Sequence, residues 1–163
     1  MMAGLTLFLA LVLATSAGQK ALAPDRLATA TSRLTGMPVV TGQLLMVIAG
    51  GVESAAAMCL LVRSLTALGA ILAAALWGGY AIALLRRHGE VLDCGCDLAA
   101  RAKPVDAGQI LRPVVLSGLA LLIARLAPQF AGIEDIFAAL GLFVLYLAAS
   151  ELMSIPRPAW RKS

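Results

Sequence analysis

Long apolar runs separated by short polar stretches are the main pattern along this chain. A helix needs about 20 mainly apolar residues to cross roughly 30 Å of hydrocarbon, and only an internal hydrogen-bond ladder satisfies its backbone amides in lipid. Five runs meet this requirement to different degrees, at about 2–22, 40–62, 64–85, 108–127 and 134–155. The pattern predicts an all-α fold: a polytopic membrane helix bundle of four or five transmembrane helices, forming a single integral membrane domain over 1–163.

The predicted spans differ in how they place polar residues. The third span carries no charge, and Trp77 and Tyr80 lie near one of its ends, where interfacial aromatic residues are common. The fourth has only twelve uncharged residues between Arg112 and Arg125. It crosses the membrane only if both guanidinium groups reach the interfaces, which is why the pattern predicts four or five spans.

Two further stretches affect the interpretation of the first span. The apolar start resembles a secretory signal, but the nearest basic residues follow the apolar run instead of preceding it, so we interpret the run as a span. The segment 24–38 that follows is rich in Ala, Thr and Arg. It is compatible with a short helix lying in the interface.

Composition and charge agree with a membrane protein. Hydrophobic residues make up 61% of the chain and charged residues 13%, against about half and about a quarter in soluble domains. With five spans, eleven of the thirteen basic residues fall on one side, and Arg63 and Arg125 fall on the other. The positive-inside rule then places the loop 86–107 in the cytoplasm and the N-terminus outside a bacterial inner membrane. The net charge of +4 gives no indication of nucleic-acid binding.

The loop 86–107 contains two thiols, Cys94 and Cys96, separated only by Gly95. A disulfide across three residues contributes only about 1.6 kcal/mol by chain entropy, before strain is subtracted. Such a bond is a poor scaffold, and strain makes it easier to reduce and therefore suited to exchange. We predict that Cys94 and Cys96 form a redox-active catalytic pair, with Gly95 permitting the backbone bend.

Two other interpretations of the pair remain open. One is a metal site formed by Cys94, Cys96 and His88. Structural zinc usually takes a second ligand pair, so Cu(I), which accepts two thiolates, is the better metal candidate. The other is an inert pair. Cys59 is interpreted as a small apolar core residue, about 20 Å or more from the loop by the rise along the second span.

Glu53 lies in the middle of the predicted second span. An ionised carboxylate there costs on the order of 3 kcal/mol or more unless it is paired, protonated or facing a cavity. This cost favours a functional role, either in proton handling or as the partner of a cation. The alternative is a neutral Glu53 bonded to a neighbouring helix for packing. Lys20 closes the first span and reaches Glu53 only if it lies deeper than its position suggests.

Three elements together are similar to the methylamine utilisation MauE family, which is related to DoxX-like membrane proteins. They are "SAGQK" at the end of the first span, "GGVES" around Glu53, and "DCGC" in the loop after the third span. The resemblance extends over residues 1–125. The family pattern usually continues Cys-Gly-Cys-Phe-Gly, whereas Asp97 and Leu98 follow here.

The resemblance implies a membrane thiol–disulfide redox accessory protein that assists maturation of an exported enzyme subunit resembling that of methylamine dehydrogenase. Its implied partners are a thioredoxin-fold protein, a client with disulfides and the lipid bilayer, without nucleic acid. It implies Cys94 and Cys96 as the redox pair, with Lys20 and Glu53 as buried polar positions. No resident cofactor is expected, with a quinone or Cu(I) as open alternatives. A Cu(I)-handling protein and a non-catalytic scaffold are the alternative functions.

Overall fold

The fold of this chain is a bundle of helices, given by a computed structural model that describes residues 2–92, 103–126 and 131–154. The helices are α1 Met2–Leu22, α2 Pro24–Thr35, α3 Val39–Leu61, α4 Thr66–Arg86, α5 Ala107–Arg125 and α6 Ile133–Ser154. A short 3₁₀ turn, Arg63–Leu65, joins α3 to α4. Two-residue strands, β1 Val91–Leu92 and β2 Lys103–Pro104, pair antiparallel.

Five helices, α1, α3, α4, α5 and α6, are long and apolar enough to cross a membrane. The predicted all-α membrane bundle is therefore confirmed, and the fourth predicted span is one of the five. Large apolar side chains such as Val40, Leu145 and Leu152 are exposed on the outside of the bundle. In a membrane protein, lipid covers such a surface.

The spanning helices alternate in direction, which gives the bundle two ends. We call one of them the far end: there α1 and α6 begin, and the N–H of Gly4 donates to Asp135 Oδ1 over 3.0 Å. At the other, α4 ends and α5 begins, and we call this the loop end. There the N–H of Val105 donates to the carbonyl of Glu90 over 2.9 Å. The strands β1 and β2, which precede and follow the segment 93–102 in the sequence, also pair at this end.

The chain breaks between α1 and α2 before it reaches the loop end. Pro24 has no N–H and disfavours helical backbone at the residue before it, and Ala23 accordingly has φ −134° and ψ 59°. The twelve residues of α2 then add about 18 Å of helix. Because α2 carries the chain onward, the last turn of α1 can lie short of the loop end, beside Gly50 in the middle of α3.

The short helix α2 packs along the half of α3 that is nearer the loop end. Leu27, Ala28 and Met46 form a buried cluster between the two helices. At the end of α2, the Leu34 carbonyl accepts a hydrogen bond from Arg87 Nε over 3.3 Å. The expected short helix in 24–38 is thus present, fixed between α3 and the end of α4.

Small residues let the helices approach closely at the centre of the bundle. Ala56, Ala70, Ala73 and Ala120 are completely buried. A side chain at Gly69 would place its Cβ 2.7 Å from the backbone nitrogen of Leu60. Since backbone cannot move aside as a flexible side chain can, the α3–α4 contact depends on a glycine at this position.

We expect Gly69→Ala to destabilise the bundle by about 1–3 kcal/mol, because the added methyl group overpacks the α3–α4 contact. Gly79→Ala on the same helix is the matched control, since nothing lies within 4 Å of a Cβ built at Gly79. The control is expected to be neutral or to stabilise by about 0.5–1 kcal/mol. Thermal unfolding of both proteins in detergent measures the difference, and equal midpoints for the two variants would contradict the packing argument.

We expect the loop end to face the cytoplasm, because Arg33, Arg86 and Arg87 are at this end. With the other cysteines removed, a membrane-impermeant maleimide should label Cys94 only from the cytoplasmic side. Ser64→Cys, in the exposed 3₁₀ turn at the far end, should be labelled only from outside. The reverse labelling pattern would show that the orientation is inverted.

Candidate functional site

Glu53 is a carboxylate enclosed within the membrane-spanning part of the bundle. It is completely buried, with 0% of its surface exposed. By the rise along α3, its Cα lies about 21 Å from Val39 and about 12 Å from Leu61. The carboxylate is therefore well inside the span, where it needs compensating partners.

Three side chains from two other helices bind this carboxylate. Lys20 Nζ lies 2.8 Å from Glu53 Oε1 and 2.8 Å from Oε2. The hydroxyl of Ser16 donates to Oε1 over 2.9 Å, and the hydroxyl of Tyr80 donates to the same oxygen over 3.1 Å. Lys20 Nζ also donates to Ser16 Oγ over 3.0 Å. We call these four residues the Glu53 cluster.

Local structure explains why these side chains meet. Ser16 and Lys20 are four residues apart on α1 and so lie on one face of the helix. Lys20 is also in the last turn of α1, where a cation interacts favourably with the carbonyl end of the helix. Its stem passes Gly50 of α3, where a Cβ would approach Lys20 Cδ to 3.4 Å. The Lys20 ammonium lies 5.7 Å from the centroid of the Tyr80 ring, within the range of a cation–π contact.

The energetics of the cluster are those of a buried ion pair. Its two charges must be taken out of water, and good geometry with additional hydrogen bonds offsets that cost. The side chain of Glu53 is 1% exposed and that of Lys20 is 17% exposed, so the desolvation falls mainly on the carboxylate. Ser16 and Tyr80 supply the additional donors. The cluster ties α1, α3 and α4 together.

A cavity of about 80 Å³ adjoins the cluster, between α1, α4, α5 and α6. Ser16 and Tyr80 belong to both, since they line the cavity and donate to Glu53. Gln109 at the start of α5 also lines it. The ion pair therefore fixes two of the cavity's polar side chains through hydrogen bonds.

The structure brings together two of the predicted site residues, Lys20 and Glu53. Cys94, Gly95 and Cys96 lie outside the described residues, so their role stays a prediction. His88 is exposed just after α4. Within the described ranges, no three His, Cys, Asp or Glu side chains form a group that could hold a metal ion.

Other residues differ from their sequence-based interpretation. Trp77 and Tyr80 are not interfacial: Trp77 is 5% exposed and packs in the core, and the Tyr80 hydroxyl binds Glu53. Cys59 has a free thiol and is partly exposed. Sequence reasoning missed Ser16 and Gln109. The four-residue spacing of Ser16 from Lys20 could have indicated that both face Glu53. Nothing in the sequence singles out Gln109, because polar residues near helix starts are common.

We expect Lys20→Met alone to destabilise the protein by about 3–5 kcal/mol, because it leaves a buried carboxylate without its cation. Lys20→Met combined with Glu53→Gln should recover most of this loss. Glu90→Gln is the control, since it breaks the half-exposed pair with Arg87, which should cost less than about 1 kcal/mol. Thermal unfolding in detergent measures all three, and a double variant as unstable as Lys20→Met would argue against the buried ion pair.

Comparison with known proteins agrees with these observations. A family model described as methylamine utilisation protein MauE matches residues 1–127. A search of curated proteins and a search of solved structures both find no match. The matched region includes α1 to α5, the Glu53 cluster and the segment with the paired cysteines. Since it covers more than half of the chain, this protein belongs to the MauE family of multi-pass membrane proteins, whose name assigns them to methylamine utilisation.

Proposed function

We propose that this protein is a membrane thiol–disulfide redox accessory protein that assists disulfide formation in an exported enzyme subunit. The observation that carries the proposal is the Cys94-Gly95-Cys96 sequence in a MauE-family membrane bundle. The family points to methylamine utilisation, so the proposed client is a disulfide-containing subunit resembling that of methylamine dehydrogenase.

The described residues on either side of the cysteine segment support this role. β1 and β2 pair at the loop end, and the N–H of Gly89 donates to the carbonyl of Val105 over 3.0 Å. Val105 is 1% exposed and packs with Leu84. The described residues that precede and follow the segment 93–102 are thus attached to the bundle, which supports a redox pair that acts close to the membrane.

The proposed chemistry is thiol–disulfide exchange with a thioredoxin-fold partner. A partner thiolate attacks the Cys94–Cys96 disulfide, forms a mixed disulfide with Cys94 and releases the Cys96 thiolate. The partner's second thiolate then breaks the mixed disulfide and releases Cys94. The partner loses two electrons and gains a disulfide, and its two thiol protons balance those taken up by Cys94 and Cys96. The partner then oxidises the client. Oxidation after export requires thiols that face outward, so labelling of Cys94 only from the cytoplasmic side, as the flanking charges predict, requires that the client is oxidised before export.

The need for such a partner follows from the architecture. In the described part of the chain, the helices form one membrane bundle, and even the shorter α2 packs on α3. No separate soluble domain is present there to select a client. We therefore assign client recognition to the partner. The role of the Glu53 cluster is to hold α1, α3 and α4 in position within the bundle.

We expect Cys96→Ala to trap a mixed disulfide between Cys94 and the thioredoxin-fold partner in cells, because the Cys94 thiolate attacks the disulfide of an oxidised partner in the reverse exchange and no Cys96 thiol remains to release it. The complex should be visible on a non-reducing gel and should disappear on reduction, and mass spectrometry should identify Cys94 in the cross-link. Cys59→Ala is the matched control and should trap nothing.

Replacement of both loop cysteines by serine tests the same proposal against a scaffold role. Under the redox proposal, the Cys94→Ser and Cys96→Ser double variant leaves the client's disulfides incomplete although the membrane protein is still present. Full client oxidation in that variant would contradict the redox function and favour a non-catalytic scaffold. Copper retained by the wild-type protein and lost in the variant would favour metal handling instead.

A further inference from the structure

We propose that the cavity between α1, α4, α5 and α6 binds the ring of a membrane quinone, which reoxidises the Cys94 and Cys96 pair. This inference rests on the proposed function, because a protein that donates disulfides needs an electron acceptor. The binding site itself is argued from the described residues alone.

Gln109 is the residue that points to a ligand. Its side chain lines the cavity, and the residue is only 6% exposed. Neither Gln109 Oε1 nor Nε2 has a hydrogen-bond partner among the described residues. Buried amide groups are normally bonded, and leaving both atoms unpaired is costly. A bound molecule with a hydrogen-bond acceptor satisfies the Nε2 donor.

Hydrogen bonding fixes the backbone at Gln109. Its N–H donates to Oδ1 of Asp106, the N-cap residue of α5, over 3.0 Å. Four residues later, Pro113 also lines the cavity and has no N–H to donate to the Gln109 carbonyl. The start of α5 is therefore fixed by the Asp106 cap. The Gln109 carbonyl, however, receives no hydrogen bond from residue 113 of its own helix.

The other walls fit a flat ring with carbonyl oxygens. Trp77, Tyr80 and Tyr146 provide aromatic surface, and Arg112 is the only Lys, Arg, Asp or Glu among the lining residues. The guanidinium carbon of Arg112 lies 5.1 Å from the Tyr146 ring centroid. Amide and guanidinium N–H groups both donate to carbonyl oxygens. Mostly apolar walls with a few placed donors are typical of sites for neutral, ring-containing ligands.

The size and position of the cavity fit the same ligand. Its volume of about 80 Å³ is several times the roughly 10–15 Å³ needed for one water, which leaves room for a ring-sized group. Leu84 near the end of α4 and Gln109 near the start of α5 both line it, so the cavity is close to the loop end. The strands β1 and β2, between which the two cysteines lie in the sequence, pair at this end.

The reaction balances with a quinone as the oxidant. Two S–H bonds break and the Cys94–Cys96 bond forms, which releases two electrons and two protons. The quinone accepts both electrons, and its two carbonyl oxygens take up the two protons to give the quinol. The Gln109 N–H would hydrogen-bond one of these oxygens and stabilise the negative charge that develops there.

Fluorescence of Trp77 provides a direct binding assay. Trp160→Phe in the full-length protein leaves Trp77 as the single tryptophan. A short-chain ubiquinone and menadione are titrated separately into this protein in detergent. We expect saturable quenching by at least one of them. Gln109→Leu should weaken binding about tenfold, which corresponds to about 1.4 kcal/mol. Gln43→Leu, at an exposed position on α3, should not change it.

The thermal midpoint without quinone separates binding from folding. Gln109→Leu removes an unpaired buried amide, so its midpoint should equal or exceed that of the wild-type protein. At the same quinone concentration, added quinone should raise the midpoint of the wild-type protein and of Gln43→Leu by more than that of Gln109→Leu. Absence of saturable quenching by either quinone, or equal affinities in all proteins, would overturn the site.

Reduction of the bound quinone separates this inference from the proposed function. The reduced wild-type protein should convert quinone to quinol, whereas the Cys94→Ser and Cys96→Ser double variant should bind quinone without reducing it. Binding without reduction by the wild-type protein supports the site and contradicts the redox role of the cysteines. Client oxidation without quinone binding overturns the site and leaves the redox function intact.

Discussion

The ion pair between Lys20 and Glu53 is the constraint on which the rest of this bundle depends. A carboxylate inside the membrane is tolerated only with a cation beside it and further hydrogen bonds to complete its shell. That requirement fits an α1 that ends at the depth where Lys20 Nζ reaches both carboxylate oxygens. The break at Pro24 and the packing of α2 along α3 accommodate this depth, because the chain must still travel from the level of Glu53 to the start of α3 at the loop end.

The spans could be predicted from the sequence because bilayer thickness fixes both the length and the apolar character of a crossing helix. The importance of Glu53 could also be predicted, since an uncompensated charge is expensive in lipid. Lys20 was a candidate partner for Glu53, but the sequence alone could not decide the contact, because the depth of Lys20 depends on where α1 breaks and how α2 packs. The aromatic residues were misplaced for a related reason: the position of Trp77 and Tyr80 near a helix end indicated an interface, but both turn toward the interior.

The Glu53 cluster and the cavity are parts of one arrangement. Ser16 and Tyr80 donate to the carboxylate and also form part of the cavity wall, so the charges that hold three helices together also fix the shape of the space beside them. Such a preorganised wall lets a membrane protein bind a small ring without a large rearrangement. The unpaired amide of Gln109 lies on this wall, and among the described residues its two side-chain atoms are the buried side-chain groups without a hydrogen-bond partner.

The last helix has a consequence for how relatives of this protein diverge. The family match stops at residue 127, before α6 begins, yet α6 supplies Asp135, which binds the backbone of Gly4, and Tyr146, which lines the cavity. One wall of the binding space therefore comes from a stretch that the shared family pattern does not cover. Evolution can alter this wall, and with it the choice of bound molecule, while the sequence features common to the family remain unchanged.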